Sequence, residues 1–228
     1  MGNRGQSSFI HLPGFAARLY ENLTRTHAIE LQHQEIAREL AARIDKGRIL
    51  DVGTGTGRLL IELRRLNPAF DLFGLDISAA MVALARKQLS GLGIDMRQGD
   101  IQNSGYDANF FDIVTSTGSF YLWDSPVECL DEVFRILKPH GSAYLFETYR
   151  DCDRGEVRKA IQANLEKENL LRRTLAPRFF MKQLGMTYQT GEVAAIVRQT
   201  RFAPSFAIDP ILLAGLPAWL RIRLTKAT

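Results

Sequence analysis

The chain predicts an α/β fold: a doubly wound, mostly parallel seven-stranded sheet closed by an antiparallel C-terminal hairpin. Three observations carry that expectation. From Gly47 to Glu147, short apolar runs alternate with amphipathic helical patterns. Strands separated by helices need crossover connections, which favour a parallel sheet with helices on both faces. A glycine-rich turn, Gly53–Gly57, follows the first strand directly. Near the end, Phe206–Leu213 and Trp219–Leu224 are apolar, strand-like and only a few residues apart. So short a link permits a hairpin and excludes a helical crossover.

Each element has a local reason. Within Gly14–Ile44, Ile29, Ile36, Leu40 and Ile44 recur at helical spacing, with Glu30, Gln34, Arg38 and Arg43 on other faces, giving one or two amphipathic helices. Arg48–Asp51 reads as the first strand and Arg58–Leu66 as a helix. Phe70–Leu75 is the second strand, and Ser78–Leu89 a helix capped by Ser78. Ile94–Gln98 and Phe110–Ser116 are the third and fourth strands. Val127–Leu137 is a helix stopped by Pro139, before a fifth strand at Ser142–Glu147. Gly155–Arg173 reads as one long charged helix and Gly191–Thr200 as another. The 228 residues thus form a single domain: a helical cap (1–46), a core (47–149), a helical insertion or lid (150–189), and a closing helix and hairpin (190–228).

Composition narrows the function classes. Hydrophobic residues make up 46% and charged residues 24%, as in ordinary globular proteins, which excludes a disordered or fibrous chain. Two cysteines, Cys129 and Cys152, supply neither a disulfide framework nor a four-cysteine zinc site. With no apolar run long enough for a signal peptide or a membrane span, the expected location is cytoplasmic. The net charge of +4 invites a nucleic-acid reading. Residues 150–183, however, hold nine basic and five acidic residues interspersed, the pattern of a solvated helical segment, so nucleic acid is not the expected partner.

The sequence ILDVGTGTGRLL, residues 49–60, is the informative stretch. Glycines at 53, 55 and 57 between strand and helix allow a tight turn and a close backbone approach, with helix N–H groups free for a ligand. Asp76 ends the second strand 19 positions after Gly57, where a carboxylate can accept from both ribose hydroxyls. Asp100 follows the third strand, so three strand ends border one crevice. The dinucleotide turn G-x-G-x-x-G would need its third glycine where Arg58 stands. Asp51, two positions before Gly53, would repel a pyrophosphate and attract an ammonium. Ribose plus ammonium without phosphate points to S-adenosylmethionine (SAM).

At this point the chain resembles the class I SAM-dependent methyltransferases, of the small-molecule type that includes quinone-biosynthesis enzymes. The matching stretches are ILDVGTGTG, LFGLDISAAMVALARK, RQGDIQ, FFDIVTSTGSFYLWDSP and VFRILKPHGSAYLFE, in the expected order over residues 48–148. The resemblance implies a Rossmann-like core and SAM as cofactor. Asp51 and the turn Gly53, Thr54, Gly55 and Gly57 would hold the methionyl end, and Asp76 the ribose. Ile77 and Met81 would pack on adenine, with Asp100 and Ile101 meeting its edge. Ser116, Thr117 and Gly118 would line the cofactor beside the acceptor, and Tyr20 resembles an aromatic that closes over SAM in related enzymes.

In-line displacement from a sulfonium asks mainly for alignment, without a metal. A hydroxyl or carbon acceptor would also benefit from a general base. Tyr20, His27 and Asp124 are the weak candidates, each with a structural alternative: helix packing, a surface histidine and a helix cap. His33 shares the N-terminal helical region with His27, while His140 sits at the sheet end away from the crevice. Phe120, Tyr121, Trp123, Tyr149 and Arg150, with Phe179, Phe180 and Met181 of the insertion, are expected around a small-molecule acceptor. RNA or protein methylation and SAM binding without transfer stay open as alternatives. No pattern here fixes the oligomeric state.

Overall fold

Parallel strands are laid down on either side of the first one. In the computed structural model, which describes Thr24 and residues 26–166 and 168–227, strand β1 (Gly47–Val52) lies between β2 (Phe70–Asp76) and β4 (Phe111–Thr117). Strand β3 (Asp95–Gln98) flanks β2, and β5 (Leu137–Thr148) flanks β4. Antiparallel β7 (Leu216–Thr225) and β6 (Phe206–Leu213) complete the order β3-β2-β1-β4-β5-β7-β6. The register pairs Val52 with both Leu75 and Ser116, and Asp76 with Gln98. The carboxyl ends of β1 to β4 therefore share one edge of the sheet. Strand order reverses between β1 and β4, where open α/β sheets leave a ligand crevice.

Among the described residues, seven helices cover the two faces. Helices α1 (His27–Ala41), α2 (Arg58–Leu66), α3 (Ala79–Gln88) and α5 (Arg154–Asn164) bury one core with Ile49, Leu72, Phe146 and Trp219. On the other face, α4 (Pro126–Ile136) and α7 (Thr190–Val197) cover Leu50, Val52, Val114 and Leu220. Strand alternation decides who faces which. Ile49 and Asp51 point to the α1 side, and Leu50 and Val52 to the α4 side. Helix α6 (Leu170–Leu184) lies beyond α5.

Two expectations are corrected. The single long helix over Gly155–Arg173 is two helices, α5 and α6. The charge pattern runs on across the break, but Leu165 turns into the core and Asn169 starts a new helix by accepting from Arg172 N at 3.0 Å. The fifth strand is also longer than Ser142–Glu147. Pairing begins at Leu137 opposite Phe111 and shifts register through the Pro139–His140 irregularity, where His140 has φ +64° and donates its N–H to Lys226 O at 3.1 Å. Helix α4 accordingly ends one residue early, at Ile136. The expected helical region over Gly14–Ile44 starts outside the described residues, as does Tyr20.

Candidate cofactor and acceptor site

The glycine turn is locked to the neighbouring strand. Gly53 and Thr54 both donate to Leu75 O, at 2.8 and 3.2 Å. Gly53, Gly55 and Gly57 have φ of +67°, +57° and +81°, a left-handed backbone that side-chain-bearing residues avoid. Gly57 is the N-cap of α2 and offers no side chain to satisfy the first helical N–H groups. Gly55 N donates to Asp76 Oδ2 at 2.8 Å, while Asp76 Oδ1 accepts from Ser78 N at 2.9 Å. These bonds aim the carboxylate along the crevice floor. Burial nevertheless pushes its pKa up, because the charged form loses water.

Asp51 is 3% exposed beneath the turn. Thr54 Oγ1 donates to its Oδ2 at 2.7 Å, and Oδ1 has no partner among the described residues. Burial is the main cause that raises this carboxyl to about 7, with the nearby Asp76 charge adding to it. A buried carboxylate oxygen left unpaired costs free energy until a donor arrives.

Two cavities meet at this turn. One, of about 130 Å³, is lined by Asp76, Ile77, Met81, Asp100 and Ile101, with Leu122 and Trp123 at its side. The other, of about 240 Å³, lies under α1, α5 and α6 and is predominantly apolar, with Ile29, Ile161, Phe180 and Trp219 in its wall. Gly53, Gly55, Thr117 and Gly118 line both. The absence of bulk at the glycines keeps the shared wall thin.

Most of the residues expected at the cofactor are brought together here. Asp100 borders the smaller cavity with Oδ1 accepting from Gln102 N at 2.9 Å, which caps the short turn Ile101–Asn103. Four expected residues differ in placement. Asp51 reaches neither cavity surface, being screened by Thr54. Ser116 is buried and its hydroxyl bonds Ser119 Oγ at 2.7 Å instead of lining the crevice. His27 is exposed at the start of α1 and Asp124 is exposed before α4; neither borders a cavity.

The aromatic wall is redistributed for the same reason, strand and turn geometry. Phe120 and Tyr121 are 1% exposed and packed in the α4-side core, and Trp123 serves the smaller cavity. Tyr149 packs against both cores, Arg150 pairs with Glu192 at 2.8 Å, and Met181 packs on the core. Phe179 and Phe180 do line the larger cavity. Its remaining wall includes Gln32, His33, Asn164, Gln183 and Trp219, none of which the spacing singled out. Helical period places His33 on a face of α1, but only the packing of α1 against α2 and β6 shows that this face looks into a cavity.

Residues 50–145 match the family model described as a methyltransferase domain. "Uncharacterized methyltransferase YdaC" of Bacillus subtilis is 30% identical over 105 residues, covering 46% of this chain and 58% of that protein. A demethylmenaquinone methyltransferase of Thermus thermophilus is 30% identical over 132 residues, covering 56% and 60%. The chain thus spans about 60% of the length of these two curated relatives. Among solved structures, the plantazolicin methyltransferase BamL, in complex with a triazolic desmethylPZN analog and SAH, superposes with a TM-score of 0.75 at 14% identity, over 99% of this chain and 96% of that one. That likeness is one of fold.

Proposed function

We propose that residues 50–145, which match the methyltransferase domain model, form a class I SAM-dependent domain and that the chain transfers the methyl group of SAM to a small-molecule acceptor. The observation that carries this reading is the pair of cavities meeting at Gly53, Gly55, Thr117 and Gly118. A nucleoside in the smaller one and an acceptor in the larger one would touch across that wall.

The residues present fit the cofactor. Asp76 has oxygen lone pairs beyond its two backbone bonds for ribose hydroxyls, and Asp100 borders the same space as Ile77 and Met81, which would sandwich a flat base. Asp51, buried behind Thr54 with Oδ1 unpartnered, would act on an ammonium in the crevice through its charge rather than by lining the cavity. Bound SAM supplies a methyl group activated by a positively charged sulfur. The chain's part is to fix the two reactants in line and keep water out; such alignment is worth roughly 7–11 kcal/mol in intramolecular reactions. The apolar larger cavity, enclosed by α1 and the lid helix α6, suits a small, largely uncharged molecule.

Calorimetry with SAM tests the cofactor half. Asp76→Ala should weaken SAM binding by about tenfold or more, since a hydrogen bond to a charged group contributes roughly 1.5–3 kcal/mol. Unchanged affinity would remove Asp76 from the ribose site. A metabolite panel with methyl-labelled SAM then tests transfer, through label appearing in a product.

A further inference from the structure

Resting on the methyl-transfer reading, the geometry of the larger cavity says which kind of acceptor it takes. Its described lining contains no Asp, Glu, Lys, Cys or Tyr. The one cation is Arg58, already donating to Thr24 O at 2.9 Å. Ile29, Ile161, Phe180, Leu216 and Trp219 provide the apolar walls. A cationic amine would find no counter-charge there. A neutral, flat, apolar molecule would be well housed.

His33 is the one imidazole among the described lining residues, and so the one side chain there with a ring nitrogen that can accept a proton. Its Nδ1 stands 2.7 Å from Ile29 O, one helical turn back on α1. A carbonyl oxygen only accepts, so Nδ1 carries the hydrogen of the neutral ring and Nε2 is left as a bare acceptor. No other hydrogen-bond partner of the ring is found among the described residues. Burial keeps the imidazole uncharged, lowering its pKa to about 4, with the Arg58 charge acting in the same direction.

We infer that His33 is the general base of the reaction and that the acceptor is a hydroxyl oxygen on a planar apolar molecule, a phenol or enol. Nε2 takes the hydroxyl proton as the oxygen bonds to the methyl carbon; the methyl–sulfur bond breaks and its electron pair stays on sulfur. Products are the methyl ether, the neutral thioether and a protonated His33, which returns its proton to solvent when the cavity opens. One positive charge disappears from sulfur as one appears on the imidazole, so the cavity's total charge is constant. In a site of low dielectric that balance avoids a large electrostatic cost.

The test uses 2-naphthol and 2-naphthalenethiol, which share a shape but differ in acidity; the thiol ionises close to neutral pH and needs no base. Wild type should methylate both. His33→Ala should lose 10²–10⁴-fold in kcat with the naphthol, keep turnover of the thiol within about threefold, and bind SAM unchanged. Added imidazole should restore part of the naphthol rate. A readout independent of turnover is the ¹⁵N signal of the His33 ring in protein saturated with S-adenosylhomocysteine. Adding 2-naphthol should shift Nε2 and leave Nδ1 nearly still, and naphthalene should move neither. Equal loss with both acceptors, methylation of the thiol alone by wild type, or an unmoved Nε2 signal would each overturn the assignment while leaving methyl transfer intact. Failure to bind SAM would instead overturn the reading beneath it.

Discussion

Asp51 shows how a single side chain can be tuned by its surroundings. Without a ligand its carboxyl titrates near 7, because the folded chain surrounds it with apolar atoms and gives it one hydroxyl donor. An ammonium beside it requires the ionised form. SAM affinity should therefore rise from pH 5.5 towards 7 by up to tenfold per unit and level off above about 7.5. Calorimetry across that range checks it, and Asp51→Asn should weaken binding and flatten the profile. Sequence spacing led to Asp76 and Asp100 because each marks a strand end, and strand ends are legible from apolar runs. It chose His27 over His33 as the candidate base, whereas His33 is the one that lines a cavity. Both lie in one helical stretch, and only the docking of α1 turns one to solvent and the other inward.

At the scale of elements, the turn between β1 and α2 is the most constrained. Gly53 sits at φ +67° with the Ser119 side chain where a Cβ would go. Gly53→Ala should cost at least about 1–2 kcal/mol from backbone conformation alone, and more as Ser119 is displaced from its 3.2 Å bond to Val52 O. Thermal unfolding reads the loss, and SAM affinity should fall with it. Such a turn is legible in sequence because glycine is the only residue that relieves the strain. The break between α5 and α6 was not, since alternating charges satisfy a helical surface on either side of it. What ends α5 is the burial of Leu165, a tertiary event.

For the molecule as a whole, pH acts through two buried carboxyls on opposite faces of the sheet. Glu147 accepts from Tyr121 N at 3.2 Å and Thr148 N at 2.9 Å, yet burial raises it to about 8; Asp51 stands at about 7. Both lie above their unfolded values of 4.5 and 3.8. A raised folded pKa means that the protonated group favours the fold. This contribution is complete below pH 4 and is lost as pH climbs through 7 and 8. Ligand-free protein should accordingly show a Tm that declines between about pH 4 and 8 from this source and levels off above. Glu147→Gln should abolish its share of the decline, including all of it between pH 7 and 8, and saturating SAM should offset the rest, by about 2.7 kcal/mol at one hundred times its Kd. The strand order followed from alternation and from a hairpin too short for a crossover. Which surfaces enclose space did not, because cavities arise where elements distant in sequence fail to fill the gap between them.

That gap has a consequence for how such a chain can diversify. The smaller cavity, proposed above to receive the nucleoside, is lined wholly by the parallel half, whereas much of the neighbouring chamber is contributed by α1, α5, α6 and β7, outside residues 50–145. On the proposed reading, instrument and workpiece are held by separate stretches of polypeptide that abut at two glycines, a threonine and one more glycine. Peripheral segments can therefore be exchanged to retarget the modification while the donor grip is inherited unaltered.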